Sequence, residues 1–167
     1  MTALSICLYC IIQAIALLIA ANGAPVLVNK ALGKRWSWPL DNGLKLPDGH
    51  RLFGDTKTWR GLCSAIFFTP IAAALSGIEP LTGVLFGTLA MTGDLLTSFI
   101  KRRMDCAESS RARGLDTVPE SLLPILLLKE PLTLGLIDII LVVAFFFLIE
   151  ELISPILYRL HIRKRPY

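Results

Sequence analysis

Residues 81–100 read LTGVLFGTLAMTGDLLTSFI and run straight into Lys101, Arg102 and Arg103. Twenty residues with one charge, Asp94, suffice at ~1.5 Å per residue to cross the ~30 Å hydrocarbon layer of a bilayer. A basic cluster at one end is the usual mark of the cytoplasmic side of such a span. The stretch predicts a membrane helix, and the composition agrees. Of the 167 residues, 54% are hydrophobic and 18% charged, against ~25% charged in soluble domains. That balance excludes an ordinary soluble enzyme and excludes disorder.

Working outward, further apolar runs extend from about Ala3 to Val28, from Gly61 to Ile78 and from Leu136 to Leu157, the last long enough to tolerate Asp138, Glu150 and Glu151. Val118 to Leu128 is apolar but short, with Pro119 and Pro124 inside it and Pro131 beyond. By itself it is either a fourth span or a re-entrant piece. The lysines and arginines decide the topology. Seven fall between Asn29 and Arg60, five between Lys101 and Arg113, and four between Arg159 and Arg165, leaving only Lys129 of the 17. All three segments can be cytoplasmic only if the number of spans is odd, the N-terminus is outside, and residues 118–133 cross to an outer corner at Lys129, Glu130 and Pro131. The expected fold is therefore all-α: an integral bundle of five transmembrane helices (about 3–28, 61–78, 81–100, 118–133 and 136–157) in the cytoplasmic membrane, one domain over 1–167. The first run lacks a basic flank and reads as a retained span rather than a cleaved signal peptide.

The four cysteines are expected to be free thiols rather than a disulfide framework, because Cys7 and Cys10 lie inside an apolar run and Cys63 and Cys106 are far apart in sequence. Cys7 and Cys10 have redox-motif spacing, but inside an apolar run they read as small packing residues. Gly83 and Gly87 form a small-xxx-small pair that lets a neighbouring helix approach.

Candidate chemistry lies at the cytoplasmic ends of the spans. At 100° per residue Asp94, Ser98 and Lys101 share one helix face. An ionisable residue inside a span points to a functional site, with a buried ion pair to a Lys or Arg as the competing reading. Residues 39–61 are rich in Asp, Asn, Gly and Pro, which mark turns. Gly54 to Thr58 leads into the second span, where a helix N-terminus, Lys57 and Arg60 could together cradle a phosphate. The spacing of a Walker loop is absent. Asp94 and Asp116 place two carboxylates at the ends of consecutive helices, and hard oxygen ligands facing phosphates suit Mg²⁺. His50 and His161 are too few and too scattered for a zinc site.

The runs Asp41 to Gly61 and Gly93 to Arg103, and more weakly Ala21 to Pro25 and Leu115-Asp116, resemble the motifs of the CDP-archaeol synthase family. These are CTP-dependent cytidylyltransferases of archaeal ether-lipid synthesis, related to the catalytic half of CDP-diacylglycerol synthase. The resemblance implies five spans, two cytoplasmic loops forming a nucleotide site, and Mg²⁺ and CTP bound on the cytoplasmic side, with a membrane lipid phosphate as acceptor and no nucleic acid partner. It points to Asp94, Lys57, Lys101 and Asp116 as catalytic, with Asp94 and Asp116 on the metal. It points to Asn22, Asp41, Asp48, Asp55, Thr58, Arg60, Gly93, Ser98, Arg102 and Arg103 as substrate-binding, with Gly54 and Gly61 in the same motif. Asp41, Asp48 and Asp55 could order the loop or join the metal shell, and Arg103 could meet the lipid phosphate. After Asp116 the chain departs from the family pattern, and Glu120 is a candidate for the second acid expected there. A non-enzymatic transporter or assembly factor holding anionic lipid headgroups through its basic loops is the alternative.

Overall fold

A computed structural model describes residues 6–106 and 116–160. Ala3 to Ser5 of the expected first span, Arg111 and Arg113, His161, and the basic residues from Arg163 to Arg165 lie outside them. Among the described residues are five α-helices: α1 (Leu8–Leu32), α2 (Trp59–Leu75), α3 (Pro80–Arg103), α4 (Thr117–Leu127) and α5 (Leu136–Arg159). Consecutive helices pack on each other, α1 closes the ring against α5, and α3 also reaches α1 across the middle. Leu17, Leu18, Phe86, Ile125, Val142 and Phe146 are fully or almost fully buried where the helices meet.

Of these helices α1 and α3 are long and apolar enough to cross a membrane. The expected fourth span is not a continuous helix over 118–133. α4 ends at Leu127 and the chain turns through to Leu134 before α5 begins. Eleven residues rise only ~16 Å. Pro131, four residues beyond Leu127, has no N–H to donate to the Leu127 carbonyl and limits how far the helix could continue. Leu128, Leu132 and Leu134 keep the turn segment buried against the core.

Close approach sets how α3 is held. A Cβ on Gly83 would fall 2.5 Å from Pro70 Cα, and one on Gly87 would fall 2.9 Å from Thr69 Oγ1, so the small-xxx-small pair serves packing against α2. The first turn of α1 corrects the cysteine reading. The helix begins at Leu8, leaving Cys7 as its N-cap, and Cys7 and Cys10 are joined as a disulfide with Cα atoms 5.3 Å apart, a separation such a bond accommodates. One helical turn brings the pair together. Cys63 and Cys106 are free.

Candidate active site

The loop between α1 and α2 is folded around one carboxylate. Asp41 is buried and accepts backbone N–H bonds from Gly43 at 3.1 Å, Phe53 at 3.0 Å and Gly54 at 3.0 Å. Arg51 adds two more, from Nε at 3.2 Å and from its terminal nitrogen at 2.5 Å, and bridges to Asp55 at 2.9 Å. Burial raises the cost of the Asp41 charge, but Arg51 and the three N–H groups outweigh it and hold the carboxyl well below the usual range. The same contact with Asp41, opposed by burial and helped by Asp55, raises Arg51. Asp41 therefore orders the loop. Gly54 turns with φ +95°, a conformation other residues rarely adopt, and brings its N–H onto Asp41.

The loop returns antiparallel to itself, with Leu40 N–H bonded to Lys57 O at 2.7 Å, and delivers Lys57 to the bundle just before Thr58. Thr58 caps α2 by accepting the Gly61 N–H at 3.2 Å. Lys57 Nζ donates to both oxygens of Asp94, at 2.6 and 2.5 Å, joining two motifs 37 residues apart. Two turns further along α3, Lys101 Nζ donates to Asp116 at 2.9 and 3.2 Å. The two Lys–Asp bridges are thus spaced along α3, and the Asp94 and Lys57 side chains keep about a quarter of their surface exposed. Ser98 and Arg102 are buried near them on α3.

Gly93 fixes the spacing between α3 and α4. A Cβ there would lie 2.3 Å from Pro119 O, so the two backbones touch beside Asp94. This contact places Glu120, almost wholly buried, within electrostatic reach of Asp94, Asp116, Lys57 and Glu150. Glu150 on α5 accepts a hydrogen bond from Thr117 Oγ1 at 2.7 Å. Sequence reasoning passed over Glu150 and Thr117. The available signal was an acid inside an apolar span, the same signal that marked Asp94.

The other expected residues lie elsewhere. Arg60 turns away from the bridges and caps the end of α1, donating to Gly33 O at 3.1 Å, to Arg35 O and to Asn29 Oδ1 at 2.6 Å. Arg103 is engaged with the loop, at 2.8 Å from Asp48 and 2.6 Å from Arg51 O, with its guanidinium over the Phe99 ring. Asn22 bonds within its own helix, to Leu18 O at 3.2 Å.

Among the described residues no group of three or more His, Cys, Asp or Glu side chains is arranged to hold a metal by itself. Asp94 and Asp116, each engaged by a lysine here, are hard oxygen donors of the kind Mg²⁺ takes one or two at a time.

Among the described residues the chain is a helical bundle in which two helices are long and apolar enough to cross a membrane and two Lys–Asp pairs lie towards one end, the features of a helical membrane protein. The sequence model of the CarS-like CDP-archaeol synthase family matches residues 4–167, and the chain belongs to that family. It is 31% identical over 166 residues to the CDP-archaeol synthase of Sulfurisphaera tokodaii, covering 96% of each chain. It is 41% identical over 107 residues to that of Thermococcus onnurineus, a match spanning 58% of this chain and 59% of the relative. A solved structure reported as an intramembrane enzyme for archaeal membrane lipid biosynthesis superposes with a TM-score of 0.63 at 25% identity, covering 80% of this chain and 88% of the other.

Proposed function

We propose that the chain is a CTP-dependent cytidylyltransferase that converts a membrane lipid phosphate to a CDP-lipid with release of pyrophosphate. Family membership supports the reaction, and the observation that carries the site is the Lys57–Asp94 bridge, which joins the loop motif to the α3 motif. A lipid phosphate oxygen attacks the α-phosphorus of CTP in line as the pyrophosphate oxygen departs. Such a transfer depends on positioning and charge neutralisation rather than on a protein nucleophile. Lys57 and Lys101 exchange their carboxylate partners for phosphate oxygens, and Arg102 lies beside them. Asp94 and Asp116 would hold Mg²⁺, which when bound neutralises phosphate charge. Asp41, with Arg51 and Arg103, keeps the loop in the shape that presents Lys57.

In this reading the chain crosses the cytoplasmic membrane five times with its N-terminus outside. The fourth crossing is completed by the turns after α4, and the site faces the cytoplasm where CTP is found. The distribution of Lys and Arg supports that orientation. The test incubates purified protein with labelled CTP, Mg²⁺ and a panel of ether and ester lipid phosphates. The expected result is a labelled CDP-lipid with at least one of them, formed only with divalent cation present. CTP turnover absent across the whole panel rejects the reading.

A further inference from the structure

At the end of the bundle away from the Lys–Asp bridges, the disulfide between Cys7 and Cys10 has two unequal sulfurs. Cys7 is the N-cap of α1 and partly exposed, whereas Cys10 is 5% exposed and lies in the core. The Cys10 N–H points at Cys7 Sγ at 3.3 Å, at the positive end of a 25-residue helix, surroundings that favour a sulfur anion there. On the other side the Thr133 hydroxyl donates to Cys10 Sγ at 3.2 Å. A bond between residues three apart restrains very little chain, so its value as a staple is small. The joint between α1 and α5 is already made by Asp138, which accepts the Cys7 N–H at 3.0 Å and the Gly135 N–H at 2.9 Å.

We propose that Cys7 and Cys10 form a redox-active pair that exchanges with external thiols through Cys7 on the non-cytoplasmic face. The sidedness rests on the topology proposed above; the exchange chemistry does not. A thiolate attacks Cys7 Sγ, forming a mixed disulfide and breaking the Cys7–Cys10 bond, with the electron pair leaving on Cys10 Sγ beside Thr133. A second thiolate attacks the external sulfur of the mixed disulfide, releasing a small-molecule disulfide and leaving Cys7 as thiolate. The two protons of the incoming thiols pass to the protein sulfurs. Two thiols are thus oxidised to one disulfide, and the protein disulfide is reduced to a dithiol.

The test uses the full chain with Cys63→Ser and Cys106→Ser, so that only this pair reacts. Folded protein should take up no maleimide before reduction and one, on Cys7, after mild dithiothreitol treatment without denaturant, with Cys10 labelling only once denaturant is added. With oxidised glutathione, added Cys10→Ser should trap a mixed disulfide on Cys7, while added Cys7→Ser should trap at least about tenfold less on Cys10, since access governs the rate. Labelling before reduction, reduction only in denaturant, or equal trapping at both positions overturns the proposal. In vesicles the membrane-impermeant glutathione should act on right-side-out preparations. Reaction confined to inverted ones overturns the sidedness and the topology with it. CTP turnover, measured in parallel, reports on the proposed activity alone, so the two can fail separately.

Discussion

Asp94 and Asp138 are both acids in apolar helices, and the structure treats them in opposite ways. Asp138, near the start of α5, is 2% exposed and its oxygens accept the backbone N–H groups of Cys7 and Gly135. Asp94, in the second half of α3, is partly open and meets the flexible ammonium of Lys57. Backbone partners cannot leave, so the first carboxylate is a fixed joint between helices. A lysine can swing to another anion, so the second is a site with an exchangeable partner. The difference separates an acid held by backbone donors that cannot move from one whose partner is a side chain that can.

The largest expected effect tests that contrast directly. Asp94→Asn should lower CTP turnover by at least ~10²-fold, the loss of several kcal/mol of phosphate charge neutralisation, while thermal stability stays within about 1 kcal/mol. Near-normal turnover in this variant would reduce the Lys57–Asp94 bridge to a structural ion pair. Next in size is Lys57. Lys57→Gln should abolish measurable CTP binding by calorimetry, and Lys57→Arg should restore it only partly, because a planar guanidinium does not replace a compact ammonium among phosphate oxygens. Full rescue by Arg would mean that charge alone is needed.

Asp138→Asn is the converse experiment. The amide keeps one acceptor oxygen for two N–H groups, so one donor is left unpaired at about 1 to 3 kcal/mol. A fall in melting temperature with turnover unchanged at lower temperature is expected; lost turnover without lost stability would erase the distinction between the two acids. The smallest effect concerns the loop. Asp41 has its carboxyl depressed in the folded chain, so its contribution is present above the unfolded value of ~3.9 and is lost as pH falls below it towards the lower folded value. Trp36, Trp38 and Trp59 flank the loop, and their emission should report its opening in acid; Asp41→Asn, with no carboxyl left to protonate, should show the opened-loop emission already at neutral pH. Emission unchanged down to about pH 2 would show that the Asp41 hub does not order the loop.

The helices were largely legible in the sequence because apolar runs and proline or glycine stops are local. The third and fifth runs, 81–100 and 136–157, match α3 and α5 to within a few residues. The first run was read too early at both ends: Asn29 and Lys30 do not stop α1, and Gly33, with φ +57°, does. The fourth was read too long because apolar side chains in buried turns look like those of a span. In the site, Asp94 stood out as an acid in a span, yet its partner could not be read from spacing, since 37 residues separate Asp94 from Lys57. Arg60 shows the same limit, because a basic residue beside a phosphate-like motif carries no sign that it will turn back to cap a neighbouring helix. The cysteine pair was misread for a geometric reason: placing the helix start before Cys7 hides the fact that it is the cap.

The two Lys–Asp bridges make loading the site a double exchange. If Lys57 turns to a phosphate, Asp94 is stranded beside a triphosphate; if Asp94 takes a cation, Lys57 is left facing a like charge. Under the proposed roles each partial state leaves one member of the bridge without an opposite charge at the edge of a low-dielectric bundle, whereas the empty state pairs Lys57 with Asp94 and the loaded state would pair each with a ligand. If the proposed roles hold, nucleotide and divalent cation are expected to bind with positive thermodynamic coupling, each raising the affinity for the other by the same factor.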